Sequence, residues 1–258
     1  MNIPTPAIVG KWLDGRASHS ALMPLSEQES DLTLRRAYAF QDALRNEFER
    51  RGGKPIGWKL GATSAASQGA MGVKEPICGF LFPRQLESGA EVSMKGFVGV
   101  AVEAEVAFRM RERLAGPGVT VASAILAVEG VMAALELPDM MFSGKPGVPD
   151  FVANSIIANA IVLGSTVTPL AGLDLASEAV VYEHNGEVVA TYTAAEVLGN
   201  PLNALVWLAN HLATRGLALE PGDIVMSGAI SKALRPQAGD AVTARFSHLG
   251  TVSVRIVP

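Results

Sequence analysis

Apolar side chains recur at three- and four-residue steps early in the chain. Leu34, Ala37, Tyr38, Leu44 and Phe48 set this period and Gly52-Gly53 ends it, so the first fifty residues are predicted to be helical. From residue 54 the pattern shortens to apolar runs between Gly and Pro, at 56–61, 79–82 and 99–110. In the last of these, Val100, Val102, Ala104, Val106 and Phe108 alternate with Ala101, Glu103, Glu105, Ala107 and Arg109. That period of two predicts a strand with two different faces. After Gly116-Pro117-Gly118, residues 121–137 read as one helix stopping before Pro138, and 140–150 as a loop rich in Gly and Pro. Two β-rich runs, Ala179–His184 and Glu187–Thr193, flank Asn185-Gly186, the signature of a type I′ hairpin. Asn200-Pro201 reads as an N-cap followed by Pro at the first helical position. Leu202, Leu205, Val206, Ala209 and Leu212 then form the buried stripe and Gly216 the stop. Strands at 223–227, 241–246 and 251–257 close the chain. The class is α+β: an N-terminal helical layer over residues 1–53, then one mostly antiparallel β body over 54–258 with two interleaved helices. There is no internal repeat, low-complexity tract or linker.

Composition narrows what this architecture does. Of 258 residues 49% are hydrophobic and 18% charged, ample for a core. A net charge of −4 gives no basic field for nucleic acid or an anionic membrane. One cysteine, Cys78, excludes an intrachain disulfide and a cysteine-rich zinc site. The opening Met1-Asn2-Ile3-Pro4-Thr5-Pro6 lacks the basic and long apolar regions of a leader, and no apolar stretch approaches the roughly 20 residues of a membrane span. A cytoplasmic protein is expected.

Walker A, GxGxxG, HExxH and GxSxG signatures are absent, and His19, His184, His211 and His248 are scattered, which favours structural or exposed roles. The carboxylates carry more. Glu103 and Glu105 leave the same face of one strand, roughly 7 Å apart along the backbone, with Ala101 and Ala107 beside them. Either solvent or a cation must compensate two like charges that close. Glu136, in apolar surroundings, is expected in the last turn of the 121–137 helix, where the macrodipole disfavours it. Three hard oxygen donors without Cys or His suit Mg²⁺ or Mn²⁺ better than Zn²⁺. Lys59 lies in Gly57-Trp58-Lys59-Leu60-Gly61, either reaching solvent along its stem or facing a ligand that the glycines let approach.

Together these segments resemble the 2-keto-4-pentenoate hydratase / 4-oxalocrotonate decarboxylase group of the fumarylacetoacetate hydrolase superfamily. The resemblance runs from about residue 35 to the end. It rests on Gly57-Trp-Lys-Leu-Gly-Ala-Thr-Ser64, Pro76-Ile-Cys-Gly-Phe-Leu81, Val102-Glu-Ala-Glu-Val106, Ala134-Leu-Glu136, Asn185-Gly-Glu-Val188, Leu198-Gly-Asn-Pro-Leu-Asn203 and Ile224-Val-Met-Ser-Gly-Ala229, in that order. It implies a mixed β-roll like the C-terminal domain of fumarylacetoacetate hydrolase, with Mg²⁺ or Mn²⁺ held by Glu103, Glu105 and Glu136. It also implies Lys59 as the catalytic residue beside a metal-held 2-oxo acid, and Thr63, Ser64 and Ser227 lining the substrate pocket. The implied activity is hydration of a short 2-hydroxydienoic acid through an enolate. Decarboxylation of a 2-oxo acid is the alternative, and a non-catalytic partner subunit of the same fold a third reading. Homo-oligomerisation, and association with a pathway hydratase or decarboxylase, are implied too. Three departures bear on the reaction. Ile77 stands where hydratases of the group usually carry Asp, and the stretch Leu137-Pro-Asp-Met-Met-Phe142 lacks the usual Arg, leaving Lys145 as a possible second cation. Asn154-Ser155 replaces the usual Asp-Asn.

Overall fold

The computed structural model describes residues 6–29 and 31–258; residues 1–5, read above as lacking a leader, lie outside the described residues. Two helices open the chain. α1 (Pro6–Ala17) sets Trp12 against Phe40 of α2 (Leu34–Arg50), ring centroids 4.9 Å apart. Thr33 caps α2 by accepting the Arg36 N–H, and the stripe Ala37, Phe40 and Leu44 turns inward. Then come β1 (Gly57–Gly61), α3 (Ala65–Met71), β2 (Ile77–Phe80), β3 (Gln85–Glu87), β4 (Ala90–Ser93) and β5 (Glu103–Met110). After them follow α4 (Val121–Ala127), β6 (Val128–Leu137), α5 (Val148–Ala153), β7 (Ala160–Leu163), β8 (Ala179–His184) and β9 (Glu187–Thr193). α6 (Pro201–Ala213), β10 (Ile224–Met226), β11 (Ala241–Phe246) and β12 (Gly250–Val257) complete the order.

The strands form two sheets, ordered β2-β1-β10-β5-β6-β7-β3 and β4-β12-β11-β8-β9. β1/β10, β3/β7 and β4/β12 pair parallel and the remaining neighbours antiparallel, giving the mixed roll expected. The sheets meet where β6 lies against β11 and β12. One continuous core holds Ala104, Val106 and Phe108 of β5 with Val242, Ala244, Val252 and Val254 of the second sheet. The opposite face of the larger sheet buries a second cluster containing Ala107, Met132, Ala134, Ile161, Leu163 and Met226. Both faces of β5 are therefore covered, so the Glu103/Glu105 face is no solvated sheet surface.

Residues 121–137 do not form one helix. The capping box of Thr120 and Ser123 starts α4, but Val128 is extended, with φ −88° and ψ 135°, and the chain continues as β6. As an inner strand between β5 and β7, β6 is buried on both faces from Gly130 onward, so its sequence is a continuous apolar run with no period of two to betray it. Gly130 is the local clue: a Cβ there would come within 2.7 Å of the Thr168 carbonyl oxygen. Glu136 consequently sits on a strand, and the helix-dipole argument for it falls. The predicted loop holds over 140–147, but its last three residues belong to α5, which begins at Val148 with Asp150 accepting the Gly147 N–H at 2.8 Å. The 179–193 hairpin and α6 stand as predicted. Asn185 and Gly186 have φ of 54° and 82°, and Asn200 Oδ1 accepts the Leu202 N–H at 2.9 Å.

Candidate metal centre and its lysine

Pairing of β5 with β6 sets Glu103 directly opposite Glu136, with Glu105 one same-face step further along opposite Ala134. Glu105 and Glu136 are buried and Glu103 partly so. One carboxylate oxygen from each of the three lies within 4.8 Å of the others. Gly228, just past β10, donates its N–H to Glu105 Oε2 at 2.8 Å. Only glycine fits there: its φ is +107° and a Cβ would come 2.2 Å from Thr63 Oγ1. The other oxygen, Glu105 Oε1, is buried with no hydrogen-bond partner.

Lys59 reaches this cluster from β1. Its Nζ stands 2.6 Å from the Glu136 carboxylate and donates to the Ile156 carbonyl at 3.2 Å. Glu136 Oε1 shares the ion pair but makes no hydrogen bond of its own. The solvent-reaching lysine is excluded, because Lys59 is buried. Burial alone would lower its pKa, but the charges of Glu136, Glu105 and Glu103 outweigh it and raise it. Burial, then repulsion from Glu136, pushes the Glu103 carboxyl up to about 7 and Glu105 well above the usual carboxylate range.

The Ile156 carbonyl is delivered by an unusual turn. Ser155, Ile156 and Ile157 have φ of 53°, 49° and 50°, three successive left-handed non-glycine residues. Each such conformation costs on the order of 1–3 kcal/mol, so the surroundings must impose it. Ser155 donates its hydroxyl to the Phe80 carbonyl at 2.7 Å, and Gly79 makes room, since a Cβ there would meet Ser155 backbone at 2.5 Å.

Fully ionised, the three carboxylates would exceed the one ammonium by two negative charges in a water-poor site. A divalent cation would balance them, and the orphaned Glu105 Oε1 is a donor waiting for one. The all-oxygen donor set fits Mg²⁺ or Mn²⁺.

The other sequence candidates divide. Thr63 is buried against Gly228, next to the Glu105 carboxylate, and Ser227 is buried one residue before that glycine. Ser64 is half-buried and occupied as the N-cap of α3, accepting the Ser67 N–H at 3.1 Å; it also borders a cavity of about 590 Å³ with Gln68, Ala195 and Leu198. Lys145 is exposed. Ile77 is buried on β2, so this strand offers Lys59 no carboxylate at that position. None of the histidines joins the cluster: His184 pairs with Asp240, His248 with Glu178, and His211 stacks on Trp207. The Gly228 N–H contact with Glu105 and the left-handed turn leave no mark in the residue pattern, although Gly228 lies in the 224–229 segment and Asn154-Ser155 stands out as a departure.

Fold and cluster together define a class, and comparison with known proteins agrees. The sequence profile described as "Fumarylacetoacetate (FAA) hydrolase C-terminal" matches residues 60–257, and the chain belongs to this family. It is 36% identical over 229 residues to 4-oxalocrotonate decarboxylase of Pseudomonas putida, covering 88% of this chain and 87% of that protein. It is 32% identical over 242 residues to 2-hydroxyhexa-2,4-dienoate hydratase of Comamonas testosteroni, covering 92% of each. Among solved structures, 4-oxalocrotonate decarboxylase from Pseudomonas putida G7 complexed with magnesium and adipate superposes with a TM-score of 0.93 at 31% identity. That match covers 98% of this chain and 97% of the other.

Proposed function

We propose that this chain is a Mg²⁺-dependent lyase of short 2-oxo or 2-hydroxydienoic acids, a hydratase of the 2-keto-4-pentenoate type. The observation that carries the reading is a buried lysine in contact with a cluster of three carboxylates whose charge calls for a divalent cation. Glu103, Glu105 and Glu136 are the ligands in this reading. Bound there, the metal would supply Lewis-acid chemistry to a 2-oxo acid, which hydration and decarboxylation both call on. Lys59, fixed between Glu136 and the Ile156 carbonyl, holds its ammonium where negative charge develops and can pass a proton from Nζ. Thr63 and Ser227, beside Gly228, would border the acid, and Ser64 stands further out at the α3 cavity. Burial of the lysine and carboxylates keeps water from competing for these charges.

A second reading, 2-oxo acid decarboxylation, is favoured by Ile77. Hydration calls for a group that delivers water and shares protons with the lysine, and an apolar, buried Ile77 cannot do either. Loss of CO₂ needs only charge stabilisation followed by reprotonation. The relatives carry both names. One assay separates them: purified protein, Mg²⁺ and either 2-hydroxypenta-2,4-dienoate or 2-oxo-3-hexenedioate, with an EDTA control. Dienol loss without CO₂ establishes the hydratase, CO₂ release establishes the decarboxylase, and turnover that survives EDTA refutes the metal-dependent reading. Self-association belongs to the same proposal: Val188 and Val189 are exposed on β9, an outer strand of its sheet, and light scattering that returns a monomer mass would remove it. Among the described residues no helix is long and apolar enough to cross a membrane.

A further inference from the structure

Arg16, in the last turn of α1, reaches partners more than a hundred residues away in sequence. Its Nη1 donates to Asn154 Oδ1 at 2.7 Å and lies 3.3 Å from Met141 Sδ, while Nη2 donates to the Ala158 carbonyl. The guanidinium carbon stands 4.0 Å from the centroid of the Phe82 ring. Asn154 and Ala158 are the residues immediately before and after the left-handed run Ser155-Ile156-Ile157. One rigid planar group therefore grips both ends of a turn that the backbone would not adopt unaided.

This placement also joins two separate stretches of the chain. The stretch 137–142 places Met141 beside Arg16, and Asn154 accepts from the same guanidinium nitrogen. The guanidinium comes from the N-terminal helix, and a neutral carboxamide receives it.

We propose that Arg16 is a positioning residue for Lys59: by clamping Asn154 and Ala158 it fixes the Ile156 carbonyl that accepts from Lys59 Nζ at 3.2 Å. The proposal rests on the reading of Lys59 as the catalytic group. An arginine that only stabilised the fold would alter the melting temperature and leave the split between kcat and KM alone.

The test uses the full-length Arg16→Ala and Arg16→Lys variants, with the substrate that the wild type turns over and Mg²⁺ saturating. For Arg16→Ala, kcat is expected to fall about tenfold or more while KM and binding of Mg²⁺ with oxalate stay within about threefold. Low-millimolar guanidinium should restore part of that kcat and leave the wild type unchanged. If Arg16→Ala does not fold, Arg16→Lys decides: its single ammonium cannot span both acceptors, so kcat should fall at constant KM. A kcat within about twofold of wild type in the folded variant overturns the proposal. So does a loss of kcat matched by lost Mg²⁺–oxalate binding and insensitive to guanidinium. Lys59→Ala, run alongside, isolates the underlying reading: full turnover there refutes Lys59 as catalytic, whatever Arg16 does.

Discussion

Replacing Glu105 with Gln removes one charge from the cluster while keeping its shape. The carboxamide oxygen can still accept the Gly228 N–H, now made at 2.8 Å, so the connection between β5 and the end of β10 survives. Two effects of opposite sign follow. Fully ionised, the metal-free cluster would set three carboxylates against one ammonium, with oxygens within 4.8 Å. Burial together with the charge of Glu136 holds Glu105 well above the usual carboxylate range, so an uncharged side chain is favoured there. At an effective dielectric of about 20, two ionised carboxylates at that separation would repel by about 3 kcal/mol, which is the upper bound on what Gln relieves. Glu105→Gln in EDTA should therefore melt at or above the wild-type temperature. With metal the order reverses. Ligand at a hundred times its dissociation constant stabilises by about 2.7 kcal/mol, worth roughly 5–11 °C for a domain of this size. Glu105→Gln should lose most of that shift, and with it the extra shift from oxalate. Thermal melts in EDTA, in Mg²⁺ and in Mg²⁺ with oxalate read all of this in one plate. A variant that keeps the wild-type Mg²⁺ shift, or that melts many degrees lower in EDTA, refutes the reasoning; the second result would make Glu105 a structural anchor of Gly228.

Lys59→Ala should abolish turnover while Mg²⁺ binding, read by the same melts, is retained; equal losses would make the lysine structural. Ile77→Asp should raise hydration if a missing carboxylate limits it, and an unchanged hydration rate would show that another group moves the proton. Gly228→Ala should lower the melting temperature and disturb Glu105 together, because its Cβ would strike Thr63 and φ is +107°; a wild-type melt would contradict the close approach. Asp240 is held down to about 2 by Asn185, the Gln237 N–H and His184. A carboxylate with a depressed native pKa contributes stability above its ordinary value of 3.8, and that contribution disappears as pH falls toward 2. Asp240→Asn should therefore flatten this part of the acid-unfolding profile, and an unaltered acid limb would count against the assignment.

How far the sequence reached depends on where each signal resides. Asn185-Gly186 and Asn200-Pro201 specify their backbone by themselves, so the hairpin and α6 were legible. Alternation made β5 legible as a strand with Glu103 and Glu105 on one face. β6 was not legible as a strand, because a strand covered on both sides has no polar face, and its apolar run passes for a buried helix. The three carboxylates and Lys59 are legible in the sequence, although its pattern places Glu136 on the wrong kind of element. The Gly228 N–H, the Ile156 carbonyl and Arg16 were out of reach. Their contributions are a backbone donor, a backbone acceptor and a contact spanning 138 residues, none of which leaves a periodic trace.

The facing of Glu103 and Glu136 across β5 and β6 has a consequence for how a cation would enter and leave. The three donors are assembled by strand pairing in the middle of a seven-stranded sheet, so their order is complete as soon as the chain has folded. Binding then requires no reorganisation of the backbone, in contrast to small metal-dependent modules, where ligation and folding are one event. Chelation should strip the site and leave the protein folded, and remetallation should be limited by the access route and by shedding of the cation's hydration shell. Affinity would be set by the charge left after Lys59 is counted. A neighbouring lysine that gained or lost a contact could thus tune metal retention while the ligands stayed still.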